Sequence, residues 1–496
     1  MVVAGLDFGT QSVKLLVYDT EEKRVIADSS HPFDLISKDG GVREQMAEWF
    51  ISGLKDCFNQ IDGSIKKRIR AIGVSGQQHG FVPVDKSGKV LAPVKLWCDT
   101  STSRECDELT SLYGSKDALI SEVGNAILPG YTASKILSFK KRSSELFNKM
   151  SYVMLPHDYI NYYLTGNAVT ERGDASGTAL FNVFVNKWDE KLCSLIDDSL
   201  INKMPKIVEW NSIVGIVKDD VREELGLSDD VVVSTGGGDN MMSAIGTGTV
   251  KDGLMAMSLG TSGTLFAYSD NPIVDKKSRI ASFASSTGGY LPLLCTMNCT
   301  VASENMRKLF SLSVDEFSAK ASFSQIGSDG LVLLPYFNGE RVPNYPNGEG
   351  VLAGMNMTNI SEENIARATL EGVSFGFLLG LEAFKEAGFK PTSLALTGGG
   401  SNSALWRQII ADSTSLEVKV PVIKETAAFG AALQALSAVS DVDITEVAKE
   451  HILFDKTKTT KPNKKNKEKY MKAYLKWKAY SDTLASIFDK EKRGLK

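Results

Sequence analysis

The chain has 496 residues, a net charge of -4 and a pI near 5.8, with 43% hydrophobic and 23% charged residues. That balance is typical of a globular protein of more than one domain and gives no reason to expect a nucleic-acid or membrane-surface partner. No run of about 18 uncharged apolar residues occurs and the N-terminus lacks a basic leader, so neither a membrane span nor a signal peptide is expected.

In chain order, the first recognisable element is "GLDFGTQSVKLLVYD" at residues 5–19, an apolar strand, a Gly-Thr turn and a second β-rich strand. The segment "RIRAIGVSGQQHG" (68–80) reads as a buried strand ending at a glycine-bounded turn, which carries Gln78 and His79. "VKLWCDTSTSRE" follows with Trp97 and Asp99, an aromatic face and a carboxylate of the kind that lines sugar sites. "VVVSTGGGDN" (231–240) places three glycines before Asp239, where a helix is expected to begin. "GTGTVKDG" (246–253) is rich in turn formers and divides the chain into expected domains 1–248 and 249–496.

Just beyond that division, "AMSLGTSGTLFAYSD" (256–270) resembles the opening hairpin. Aligning Gly9-Thr10 with Gly260-Thr261 puts Asp7 opposite Ser258, and a one-residue slip brings Tyr18 to Tyr268. One such hairpin is ordinary. Two, about 250 residues apart, predict two domains built on one plan. The remaining elements are a long helix over 366–388 ending at a glycine and a strand, TGGG loop and helix over 391–414 capped by Ser401 or Asn402. A basic stretch from Lys456 to Lys478 reads as a solvated linker and terminal helix. Alternating strands and helices predict an α/β protein.

A carboxylate at a strand end followed by Gly-Thr can hold a hydrated divalent cation while bare N–H groups and the threonine hydroxyl meet phosphate. Two facing copies, only one bearing the aspartate, suit a single nucleotide bound between two domains. No GxxxxGK[ST] and no GxGxxG after a strand is present, so any nucleotide is held by other means. Cys57, Cys98, Cys106, Cys193, Cys295 and Cys299 show no CxxC spacing, which argues against zinc or disulfides and for a reducing, cytoplasmic setting.

Together, Asp-x-Gly-Thr, GGGDN, SLGTSG and TGGG resemble the FGGY family of carbohydrate kinases over nearly the whole chain. "REQMAEWF", "LPGYTASKIL", "PHDYINYYLTG", "DASGT", "LPYFNGERVP" and "ARATLEGVSFG" occur in family order. Likeness is greatest to members that act on D-xylulose. The resemblance implies two ribonuclease H-like, actin-type domains closing on a cleft and transfer of the γ-phosphoryl group of MgATP to the sugar's 5-hydroxyl. Carried onto this chain, it makes Asp239 the base and gives the ketose to Gln78, His79, Trp97, Asp99, Asp239 and Asn240. Asp7 organises Mg²⁺ through water. Gly9, Thr10 and Gln11 meet the phosphates from one side and Gly260 and Thr261 from the other, while Gly399, Gly400 and Ser403 pack on the adenosine. Gln78, Cys98 and Ser101 depart from common family choices on the sugar side.

The glycines 236–238 are expected to leave room for the sugar and the transferring phosphoryl group. Asp239 is expected to be ionised at neutral pH, favoured by the helix dipole. A homodimer is the working expectation for oligomeric state. Alternatives are a kinase for ribulose, gluconate, fuculose or glycerol, or an actin-like ATPase or sensor that phosphorylates nothing.

Overall fold

The computed structural model describes residues 1–488. Two mixed sheets organise it. In the first, β1 (Val2–Phe8) pairs antiparallel with β2 (Ser12–Asp19), which pairs with β3 (Arg24–Pro32); on its other side β1 runs parallel to β4 (Ile69–Gly76). The strands β5 (Ile213–Ile216) and β6 (Val232–Ser234) extend the sheet, giving the order β5-β6-β4-β1-β2-β3. In the second, β7 (Leu254–Leu259) pairs antiparallel with β8 (Gly263–Ala267) and parallel with β11 (Ser393–Thr397). With β9 (Ala281–Ala284), β10 (Tyr290–Thr296) and β12 (Val418–Lys419), its order is β9-β10-β8-β7-β11-β12.

The two sheets therefore share one plan, and β1–β2–β4 corresponds strand for strand to β7–β8–β11. The slip in the sequence repeat has a structural cause. Phe8 pairs with Val13, whereas Leu259 pairs with Gly263, so the second hairpin turn is one residue shorter. The central strands are apolar along their length and buried, as strands covered by helices on both faces must be.

Helix α1 (Pro156–Thr165) packs beside the first sheet, and α2 (Asp239–Gly246) starts directly after the three glycines. In the second half, α3 (Thr300–Leu309) follows β10, α4 (Glu362–Glu386) is almost wholly buried, and α5 (Ala404–Thr414) follows the TGGG loop. The N-cap of α5 is Ser403, whose hydroxyl accepts the Trp406 N–H at 3.2 Å, and neither Ser401 nor Asn402 caps it.

Helix α6 (Thr426–Ser440) has the sequence TAAFGAALQALSAVS, apolar nearly all round, and a helix of that kind must be buried on every side. It lies against β1 and β4 of the first sheet and against α2, although it is more than 350 residues from those strands in sequence. Glycine makes this approach possible. A Cβ at Gly5 would overlap the Ala428 carbonyl oxygen, one at Gly73 that of Ala431 and one at Gly246 that of Thr426. Helix α7 (Ile444–His451) follows it, and α8 (Lys467–Phe488) closes the described chain. The basic face of α8 is solvated, as expected, while Tyr470, Tyr474 and Trp477 insert into the second core. Residues 489–496 of the expected second domain lie outside the described residues.

Candidate active site

Asp239 is the first residue of α2, with Gly238 as N-cap. Its Oδ1 accepts from its neighbour's backbone, Asn240 N–H, at 2.8 Å and from Asn240 Nδ2 at 3.0 Å. Among the described residues no protein donor reaches Oδ2, which leaves that oxygen for a proton. Burial, then the charges of Asp7 and Asp174, push the Asp239 carboxyl up to about 7. The expectation of a fully ionised base at neutral pH is thus corrected: two neighbouring carboxylates and desolvation outweigh the helix dipole. Asn240 Nδ2 also donates to Gln78 Oε1 at 2.9 Å, joining the base to the "GQQHG" turn.

His79 sits in that turn with φ of 64° and is packed between Tyr131 and Phe283. Its Nδ1 is 2.6 Å from the Gly177 carbonyl oxygen, which can only accept, so Nδ1 carries the proton and Nε2 keeps a lone pair. Burial and the nearby Lys135 charge push the imidazole down to about 3, so it is neutral throughout the physiological range. The buried Lys135 donates to the His79 and Gly130 carbonyl oxygens, each at 2.6 Å. With Thr132 Oγ1 on the same His79 oxygen, it pins the unusual backbone conformation.

The glycine run departs from expectation. The space its missing side chains leave is filled by protein. A Cβ on Gly236 would overlap the Val74 carbonyl, one on Gly237 would meet Ser286 Oγ at 2.8 Å, and one on Gly238 would lie 2.6 Å from Gln78 Cγ and 3.0 Å from Asp174 Oδ1. These glycines let the turn settle onto buried polar side chains. Beneath them, His157 Nδ1 is bonded to Asp174 Oδ2 at 2.7 Å and its Nε2 lies 3.0 Å from Asp158. Burial opposes charge on that imidazole, yet Asp158 and Asp174 raise its pKa well above the usual value. Among the described residues Asp174 Oδ1 and Gln78 Nε2 are both buried without a hydrogen-bond partner.

The Asp99 carboxylate is engaged by protein donors. Its Oδ1 accepts from Ser101 N and Oγ, and its Oδ2 from Arg43 N and Lys95 Nζ, so all four lone pairs are used inside the loop. The carboxylate ties that loop to Arg43 and Lys95. Trp97 is half-buried; its Nε1 donates to Thr10 Oγ1 at 2.9 Å, tying the sugar-side loop to the first phosphate turn.

Asp7, next to last in β1, accepts from Ser75 Oγ at 2.8 Å; burial raises its carboxyl to about 6. Gly9, Thr10 and Gln11 form the turn that follows, with Gly9 N–H donating to Ser12 O. The matching turn, Gly260-Thr261, is anchored on the start of α3, because Thr300 N donates to Gly260 O and Cys299 N to Thr261 O. Gly399 has open space where a Cβ would stand, and with Thr397 and Gly398 it lines a cavity of about 390 Å³. A Cβ on Gly400 would meet Leu259 and Trp406, and the Ser403 hydroxyl is engaged by Trp406 N and Ser318.

Lys14 and Glu425 line the same cavity and form an ion pair at 2.5 Å. Sequence reasoning passed over both. The signal for Lys14 was its place on β2 directly across from Asp7; Glu425, like Asp174 and His157, had none.

Duplicated sheets, each opened by a Gly-Thr hairpin, and a buried carboxylate at a helix start fit a two-domain phosphotransferase of the actin-like ATPase class. Comparison with known proteins makes this narrower. Residues 2–246 match the N-terminal domain, and residues 255–439 the C-terminal domain, of the FGGY family of carbohydrate kinases. The chain belongs to that family and is an ATP-dependent sugar kinase. It is 38% identical over 479 residues to a xylulose kinase of Haemophilus influenzae, covering 95% of this chain and 97% of that one. A solved structure described as a "xyloylose kinase" from Brucella ovis superposes with a TM-score of 0.91 at 28% identity, covering 98% of this chain and all of the other. A gluconate kinase from Lactobacillus acidophilus reaches the same TM-score at 23% identity over 99% of each chain, a likeness of fold.

Proposed function

We propose that this kinase transfers the γ-phosphoryl group of MgATP to the 5-hydroxyl of D-xylulose, giving D-xylulose 5-phosphate and ADP. The observation that carries the chemistry is Asp239 Oδ2, free of protein donors among the described residues while Oδ1 is held by Asn240. The sugar oxygen forms the new bond to phosphorus as the bond to the departing ADP oxygen breaks. The hydroxyl proton passes to Asp239, and the bond's electron pair leaves with ADP. Because phosphoryl transfer has a loose transition state, a weak base that orients the hydroxyl is sufficient.

Gln78, Asn240 and the His79 Nε2 lone pair are assigned to sugar hydroxyls. The buried, partnerless Gln78 Nε2 supports this, since such groups are rare unless a ligand completes them. Gly9, Thr10, Gln11, Gly260 and Thr261 are assigned to the phosphates, joined by Lys14, and Gly398 and Gly399 to the adenosine. The residues present fit Mg²⁺. Asp7 lies close enough to Asp239 to raise its pKa, and among the described residues no three His, Cys, Asp or Glu form a closed cage. One or two carboxylates with water and phosphate oxygens suit that ion. When bound, it neutralises charge on the β- and γ-phosphates. The division into a sugar side (1–248) and a nucleotide side (249–496) belongs to the same reading, as does a cytoplasmic location.

The choice of D-xylulose rests on the relative from Haemophilus influenzae and its coverage of nearly the whole chain. An ADP-release assay across D-xylulose, ribulose, gluconate, fuculose and glycerol tests it. D-Xylulose should give the highest kcat/KM; a higher value for any other member overturns the substrate and leaves the kinase chemistry standing.

A further inference from the structure

Helix α6 does more than fill the space behind the first sheet. Gln434, fully buried at its middle, holds Gly236 by both backbone groups: Oε1 accepts the Gly236 N–H at 2.7 Å, and Nε2 donates to the Gly236 carbonyl at 2.9 Å. Oε1 also accepts from Ser234 Oγ at 3.2 Å. Gly236 lies in the gap between β6 and the short paired segment Gly237–Gly238, and its φ of 70° keeps it out of the sheet ladder. A buried backbone N–H and C=O in such a gap need partners, and one side-chain amide supplies both.

Gly236 is three residues before Asp239. The turn is fixed from two further sides, by Val74 against Gly236 and by Gln78 and Asp174 against Gly238. Gln434 is the contact that comes from the far end of the chain. At the other end of the same helix, Glu425 pairs with Lys14 in the nucleotide-side cavity. A rigid, backbone-clamped helix thus touches the nucleotide side at one end and the turn carrying the base further along.

We propose that Gln434 is a positioning residue for phosphoryl transfer, fixing the Gly236 turn so that the Asp239 carboxylate meets the sugar hydroxyl. This rests on Asp239 being the proton acceptor. Misplacing a reacting group by about 1 Å can cost on the order of 100-fold in rate, whereas substrate contacts made elsewhere are untouched.

The test is Gln434→Met in the full chain, which keeps the volume and removes both hydrogen bonds. The expected result is a fall in kcat of at least fivefold, on the order of 10- to 100-fold, with KM for ATP and sugar within about threefold. A folded variant whose kcat falls less than fivefold, or whose loss lies in KM, overturns the proposal. Should Gln434→Met fail to fold, Gln434→Glu decides. Its protonated carboxyl can both accept from Gly236 N–H and donate to Gly236 O, and its carboxylate can only accept. The ratio of its kcat to that of the wild type should rise as pH falls; a pH-independent ratio overturns the role. Asp239→Asn, assayed in parallel, separates the two ideas: retained turnover there defeats the base assignment itself, whatever Gln434 does.

Discussion

The two Gly-Thr hairpins share their strand pairing and differ in what stands at the strand end. In the first, Asp7 is flanked by Lys14 on β2 and Ser75 on β4; in the second, Ser258 is flanked by Thr264 on β8 and Thr397 on β11. The duplicated scaffold provides two equivalent Gly-Thr turns, and a carboxylate precedes only the first. Backbone geometry can serve both ends of a polyphosphate, but a second carboxylate would set two negative groups against the same anion. At the two equivalent strand positions the first hairpin carries a carboxylate and the second a hydroxyl.

The comparison is broken most severely by Asp239→Asn, which leaves both turns intact and removes the proton acceptor. Turnover should fall by about 10³-fold or more, while ATP binding by titration calorimetry stays within a fewfold. Asp7→Ser makes the first hairpin copy the second. It should lower kcat by about 100-fold and raise the Mg²⁺ concentration for half-maximal rate, read from a metal titration of ADP release. If Asp7→Ser is nearly as active as the parent, the charge difference between the halves is incidental.

A third effect follows from the raised Asp239 carboxyl. The base must be ionised, so kcat/KM should decline as pH drops through about 7. Stability runs the other way. A carboxyl whose pKa is higher folded than unfolded favours the native state below the unfolded value near 3.8, and that contribution is lost as pH rises through about 7. Asp239→Asn should therefore gain on the wild type in thermal unfolding between pH 5 and 8, by roughly a few kcal/mol at most. The smallest effect belongs to Ser403→Ala on the nucleotide side. Loss of the α5 cap should cost about 1 kcal/mol of stability and leave KM for ATP unchanged.

Both hairpins, the strand before "GQQHG", the TGGG loop and the start of α2 were legible because each is a local pattern of period, glycine and cap. The one-residue slip in the repeat even foretold the shorter second turn. Roles that depend on distant partners were not legible. Asp99 reads as a sugar ligand until Lys95, Arg43 and Ser101 are seen to occupy its lone pairs. The three glycines read as room for a ligand, because nothing local says that Glu171, Asp174 and Gln78 lie under them. Gln434 meets its turn across 198 residues of chain.

The bare surface at Gly5 and Gly73 also sets an order of events during synthesis. The first sheet's strands are complete by Ser234, yet the helix that must lie on them ends at Ser440. Until then the nascent chain carries a glycine-floored trough of valine, leucine and isoleucine with no lid, and about 200 residues emerge before the lid does. The first sheet gains this cover only once residues 426–440 have been made.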